Sequence, residues 1–265
     1  MDNRPIGVMD SGIGGLSVVR QLKAQLPGES IMFIGDQGHF PYGTKTDETI
    51  QMFVQRIANY FVVHDVKLMV IACNTATAAA LPLLRQTLPI PVIGVIEPGA
   101  QAALATGATQ IGVIATDSTI HSGAYEQQLT YLNPTVQVTS LATQPLVRVV
   151  ETGQTGTPAA LAAVQTALAP LVNQPITALI LGCTHFPFLT PEIQQVLGPQ
   201  VTLVDPAIAT VQAVQRHLEA TQQLSNASQG HLMAYSTGEL SDLQRGLAKW
   251  LPGVTPQSCA ELKLD

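Results

Sequence analysis

Charge is scarce in this chain of 265 residues: Asp, Glu, Lys and Arg together make up 11%, less than half the roughly 25% usual for soluble proteins. The balance is mildly acidic, 12 Lys and Arg against 18 Asp and Glu. With no basic block, nucleic acid and anionic membrane surfaces are not expected as partners. Cysteine is scarce too. Cys73, Cys183 and Cys259 are too few and too far apart for a disulfide scaffold. No apolar run approaches the ~18 residues of a membrane span; the densest, Leu68 to Leu84, is broken by Asn74, Thr75 and Thr77. The opening MDNRPIGVMDSG carries Asp2 and Asp10 and lacks the apolar stretch of a secretory signal. The expected compartment is the cytoplasm, where thiols stay reduced.

Several chemistries lack their motifs. There is no P-loop, no G-x-S-x-G elbow, no C-x-x-C and no paired histidine spacing among the six histidines, so no metal is expected. The loop DSGIGGLS, residues 10–17, misses the last glycine of a dinucleotide fingerprint, and only Asp36 stands where its acidic partner would. None of the five lysines follows a core strand in a pocket-like setting, which weakens a pyridoxal Schiff base.

What is present is alternation. Apolar, β-branched runs at Ile6–Met9, Ile31–Ile34, Leu68–Ala72, Val92–Ile96, Ile111–Ala115, Val136–Ser140, Ala178–Leu181, Val201–Val204 and Leu232–Tyr235 are separated by amphipathic helical stretches. Continuous apolar runs suit strands covered on both faces, so the fold class is α/β with mainly parallel sheets and helices on both faces. The chain also echoes itself. IGVMDSGIGG from Ile6 returns as IGVIATDSTI from Ile111, and the segment around Cys73 returns around Cys183. Two pseudosymmetric domains are expected, the first from 1–97 plus 207–265 and the second from 98–206, with the site in the cleft between them.

Ligands of parallel sheets bind at the carboxyl ends of strands. Those ends hold Asp10-Ser11-Gly12, Gly35-Asp36, Cys73-Asn74-Thr75, Thr116-Asp117-Ser118-Thr119 and Cys183-Thr184-His185. Either cysteine alone reads as a small buried hydrophobe. As a pair at equivalent places in a repeat they approach one ligand from opposite sides, with Asn74-Thr75 and Thr184-His185 opening the helices that follow. Inverting a stereocentre by proton transfer needs a base on one face and an acid on the other, and a thiol serves as either. His185 and Asp10 are placed to hold protons for the thiols. Cys259 has no such motif and is read as structural.

The motifs DSGIGG (10–15), PYG (41–43), CNTATA (73–78) and GCTHFP (182–187) occur in the order found in bacterial glutamate racemases. The chain resembles that family over essentially its whole length. The resemblance implies two α/β domains, no cofactor, and interconversion of L- and D-glutamate for peptidoglycan precursors. It assigns Cys73 as the base acting on D-glutamate and Cys183 as the base acting on L-glutamate, with Asp10 and His185 as helpers. Glu151 matches a glutamate that supports the histidine. Substrate contacts fall on Asp10, Ser11, Pro41, Tyr42, Gly43, Asn74, Thr75, Thr116, Thr119, Thr184 and His185. A homodimer, which the family often forms, is the expected assembly. Two departures stand out: the filling Gln37-Gly38-His39-Phe40 before PYG, where His39 is given no role, and a start only five residues before the first strand, which makes activation by a peptidoglycan precursor doubtful.

The motif residues include no Lys or Arg, so carboxylates would be held by backbone N–H groups and by Ser, Thr, Asn and Tyr. A neutral lining suits a reaction that runs both ways, because a fixed cation would bias one thiolate over the other. Aspartate or a hydantoin is the alternative substrate, since glutamate and aspartate differ by one methylene and no single residue measures pocket depth. From a different class, an amino-acid sensor with inert thiols would share the fold, but binding alone does not call for opposed thiols.

Overall fold

The computed structural model describes residues 1–264. Strands β1 (Ile6–Asp10), β2 (Ile31–Gly35), β3 (Leu68–Ile71) and β4 (Val92–Gly94) pair in the order β2-β1-β3-β4. Strands β5 (Gln110–Ala115), β6 (Gln137–Ala142), β7 (Ala178–Gly182) and β8 (Thr202–Val204) pair as β6-β5-β7-β8, which is the same order one repeat later. The chain then returns to the first sheet, where β9 (Leu232–Ser236) and β10 (Ser258–Glu261) extend it beyond β2. Every pairing is parallel. The nine apolar runs of the sequence correspond to β1–β9, and the molecule is a two-domain α/β protein.

Burial on both sheet faces explains the unbroken runs. Side chains alternate along a strand. Ile6 and Val8 of β1, with Leu68 and Val70 of β3, pack into one cluster, while Met9, Met69 and Ile71 pack into another on the opposite face. In the second sheet Ile111, Val113 and Ile180 face one cluster, and Ile114, Leu179 and Leu181 face the other. Each fully buried Ile or Leu contributes about 1.5–3 kcal/mol, so no strand can slip by one residue without exposing a row of them.

The covering helices carry local start signals. Thr46 caps the helix Asp47–Val63, its Oγ1 accepting the Thr49 N–H at 3.4 Å, and Asp47 and Glu48 lie in the positive first turn. Ile50, Val54, Ile57 and Phe61 then repeat at helical spacing on the buried side. At the amino ends of the strands Lys67 is buried and ion-paired to Glu29 at 2.6 Å, while donating to the carbonyls of Asp2 at 2.7 Å and Gln223 at 2.8 Å. Its donors are consumed in pinning the N-terminal segment.

Two details differ from expectation. β10 has no counterpart among the apolar runs, because Ser258-Cys259-Ala260-Glu261 is short, only partly buried and lies at a sheet edge, where no apolar run is required. Thr184-His185 do not open a long helix. They lead into a 3₁₀ turn, Phe186–Leu189, before the helix Thr190–Leu197. Pro187 lacks an N–H, and a second proline, Pro191, stands at the start of the later helix, where prolines are tolerated. No described helix is long and apolar enough to cross a membrane.

Candidate active site

The carboxyl ends of the two sheets meet in one cleft, and both sulfurs line it. Cys73 follows β3 and Cys183 follows the equivalent strand β7, each with only 6% exposure. Ser11, Pro41, Tyr42, Gly43, Asn74, Thr75, Thr116, Thr184 and His185 share this lining. Asp10, Thr119 and Glu151 do not reach the surface of the cleft; they stand one hydrogen bond behind it. Asp10 accepts from Thr184 Oγ1 at 3.2 Å, Thr119 is bonded to Thr75 and Thr116, and Glu151 is bonded to His185. The remaining cavity is narrow, about 20 Å³, room for roughly one water.

The close approach of the domains explains the glycine-rich loop. A Cβ on Gly14 would lie 2.4 Å from Thr184 Oγ1 and 2.7 Å from the His185 ring, so DSGIGG brings the second cysteine segment against the first domain. Asp36 is likewise accounted for inside the protein: Tyr42 OH donates to it, Thr237 Oγ1 donates at 2.6 Å, and His39 Nδ1 lies 2.9 Å away. That network fixes the PYG segment against the cleft, with His39 stacked on Phe53 at 3.9 Å.

Cys73 caps the helix Asn74–Thr87, its Sγ accepting the Ala76 N–H at 3.4 Å and lying 3.6 Å from Ser11 Oγ. Burial and the nearby Asp10 carboxylate push this thiol up to about 12. Asp10 itself is fully buried. Desolvation raises it to about 6, although the His185 charge and the N–H groups of Gly12 and Gly15 pull the other way.

The Cys183 side differs. His185 Nδ1 is 3.5 Å from Cys183 Sγ, and its Nε2 is 2.5 Å from Glu151 Oε1. Burial opposes the imidazolium, but the sulfur and the Glu151 carboxylate outweigh it, and the ring is raised well above its ordinary value. An imidazolium is the neighbour that stabilises a thiolate.

Apart from His185, the lining is uncharged and rich in donors. Thr75, Thr116 and Thr119 form a triangle of hydroxyls 2.9–3.1 Å apart that joins the two domains. Asn74 is held by Tyr125, whose hydroxyl donates to Oδ1 at 2.7 Å. Among the described residues lining the cleft there is no Lys or Arg, and among the described residues no group of three or more His, Cys, Asp or Glu is placed to hold a metal ion. Sequence reasoning missed Gln144, Phe40 and Val147 on the cleft wall, and Tyr125 behind it. Gln144 was discoverable: β6 runs to Ala142, two residues past the expected Ser140, and the strand-end rule then points to Thr143-Gln144.

Two α/β halves of equal strand order each place a thiol on one small cleft, and the class of protein to which they belong is an isomerase. The chain belongs to the Asp/Glu/hydantoin racemase family, whose profile matches residues 6–214, and it is an amino-acid racemase. It is 56% identical over all 265 residues to a glutamate racemase of Limosilactobacillus reuteri, covering 99% of that protein. Among solved structures, a glutamate racemase isoform of Bacillus anthracis superposes with a TM-score of 0.95 at 38% identity, over 100% of this chain and 99% of that one. The Francisella tularensis glutamate racemase, solved in complex with D-glutamate, superposes with a TM-score of 0.93 at 34% identity, with the same coverage.

Proposed function

We propose that the chain is a cytoplasmic glutamate racemase that interconverts L- and D-glutamate by a two-base proton transfer at Cα, supplying D-glutamate for peptidoglycan. Cys73 acts on D-glutamate and Cys183 on L-glutamate. In one direction the Cys183 thiolate takes the α-proton of L-glutamate and the Cys73 thiol gives its own proton to the opposite face. The product leaves with Cys73 as the anion, and the reverse direction restores the first state. One proton is removed and one added, with no change of oxidation state.

The charges around the thiols fit these roles. In the protein alone Cys73 is held protonated, the form needed to act as acid on L-glutamate. The α-ammonium of the substrate, drawn to the buried Asp10, brings the positive charge that this wall lacks and so favours the Cys73 thiolate when D-glutamate is bound. On the other wall His185, supported by Glu151, supplies a positive charge from the protein itself. Asn74, Thr75, Thr116 and Thr184 hold the carboxylates as neutral donors. Carbanion character at Cα is stabilised by donors fixed before the reaction rather than by reorganised water.

The observation that carries this reading is that both sulfurs, following equivalent strands of the two sheets, line one cleft. Its test is to incubate each enantiomer of glutamate in D₂O with wild type, Cys73→Ser and Cys183→Ser, with no added cofactor, following optical rotation and α-hydrogen exchange. Wild type should racemise with deuterium uptake, and each variant should lose roughly 10³-fold or more. No exchange by wild type would remove the racemase assignment. Full racemisation by either variant would remove the two-thiol mechanism.

A further inference from the structure

Gln144 has no part in the proton transfer, yet its side chain lies on the cleft wall. Its Oε1 is buried and makes no hydrogen bond within the described residues. The side chain crosses the domain boundary to Gly43, where a Cβ would sit 2.4 Å from Gln144 Oε1 and 3.1 Å from Thr116 Cβ. Only a glycine at 43 leaves room for this contact. A half turn of the terminal amide exchanges its two ends, so the same position offers either an acceptor or two donors.

Topology says which part of a ligand lies there. The cysteines follow β3 and β7, whereas Gly43 and Gln144 come from the segments after β2 and β6. In both sheets these strands lie two places apart, β2-β1-β3 and β6-β5-β7, about 10 Å at the usual strand spacing. Cα must sit between the sulfurs, so the end of the cleft formed by Gly43, Thr116 and Gln144 receives the far end of the substrate. Because the lining contains no Lys or Arg, an anionic group there depends on neutral donors.

We propose that Gln144 is a substrate-contacting residue whose side-chain amide donates to the side-chain carboxylate of bound glutamate and thereby selects substrate length. The inference rests on the glutamate racemase reading. Shortening the substrate by one methylene, to aspartate, withdraws the carboxylate from the amide and leaves a buried polar group unpaired, which penalises the shorter substrate.

Gln144→Met keeps the volume and removes the donors; Gln144→Glu keeps the shape and adds an anion. Steady-state kinetics with both enantiomers of glutamate at pH 8 should show KM raised about tenfold by Met and at least tenfold further by Glu, with kcat within about threefold of wild type for Met. The rise should be equal for the two enantiomers, since the contact lies away from the inverting centre. A Met variant with KM within twofold of wild type overturns the proposal, as does a Glu variant that binds no more weakly than Met. A purely structural role would instead lower the thermal midpoint and depress kcat without separating Met from Glu. Wild type that fails to racemise glutamate at all would refute the parent reading rather than the place of Gln144.

Discussion

Around Cys73 the neighbours are Ser11, the Ala76 N–H and, further back, the buried Asp10; around Cys183 they are His185 and, behind it, Glu151. Strand order makes the two walls equivalent, yet their protonation chemistry is opposite. One wall surrounds its sulfur with a carboxylate and no cation, and the other with an imidazolium balanced by a carboxylate. Exposure differs as well: Asp10 is sealed, whereas the Glu151 side chain is 23% exposed beside an outer groove lined by Arg245 and Lys249. The repeated strand order keeps where the thiols stand but not which charged groups surround them. The difference teaches that a symmetric reaction does not need symmetric bases. In the proposed two-thiol mechanism the substrate's own ammonium supplies the positive charge that the Cys73 wall lacks.

The sharpest way to break this comparison is to remove the helper on each wall in turn. His185→Asn takes the donor from Cys183, and Asp10→Asn takes the anion from the Cys73 side. Each should lower kcat/KM by roughly 10²–10³. Because the equilibrium constant between enantiomers is unity, kcat/KM must fall equally in both directions, so the asymmetry cannot appear there. It should appear in α-hydrogen exchange without racemisation: His185→Asn should retain more exchange into D-glutamate, and Asp10→Asn more into L-glutamate, read by NMR in D₂O. Identical exchange patterns in the two variants would mean that the walls are interchangeable after all.

The parts of this asymmetry that were legible in the sequence are those that follow from strand ends. Asp10, Cys73, Cys183 and His185 each sit within three residues of a strand terminus, and an apolar run announces the strand. Glu151 was reached only through family resemblance, because it lies at the end of a helix, Pro145–Glu151, with nothing local to tell it from a solvated carboxylate. Gln144 and Tyr125 carry no local signal of their role for a related reason, although the observed end of β6 points to the position of Gln144. Amide and phenol side chains carry no motif, and their importance comes from partners 101 and 51 positions away, Gly43 and Asn74. The fold was more legible than the site, since burial on both faces writes itself into composition strand by strand. The edge strand β10, freed from that demand, left no trace. Lys67 shows the same limit: a lysine in front of an apolar run reads as a boundary, not as a cation buried against Glu29.

The Asp10 carboxylate gives the comparison a stability signature. It is raised to about 6 by burial, so the folded state holds its proton more tightly than the unfolded chain does. That contribution to stability is full below the ordinary aspartate value and is lost as pH rises through about 6. Asp10→Asn escapes the loss. Urea unfolding at pH 8 should find the variant more stable than wild type by on the order of 1–3 kcal/mol, with the gap narrowing at pH 5. The same group should set an acid limb near pH 6 in the wild-type kcat/KM profile, absent from Asp10→Asn. An activity-compromised variant that is more stable is the mark of a site strained for function. Equal stability at both pH values would show that Thr184 and the loop amides compensate the buried charge in full.

Glu151 offers the gentlest probe, because the substitution Glu151→Gln keeps an acceptor for His185 Nε2 and removes only the charge. His185 is held above its ordinary value against the cost of burial, and Glu151 is one of the two groups that hold it there. The imidazolium exists below that raised value and is lost as pH climbs through it, so weakening the support brings the loss to lower pH. For Glu151→Gln the alkaline limb of kcat/KM should move down in pH, and activity near neutrality should fall by only about tenfold, less than for His185→Asn. A profile between pH 6 and 10 measures both. An alkaline limb that stays in place would mean that the sulfur alone sustains the His185 charge. The second wall would then be a cysteine–histidine pair with a bystander carboxylate, closer in kind to the wall of Cys73 and Asp10 than its geometry implies.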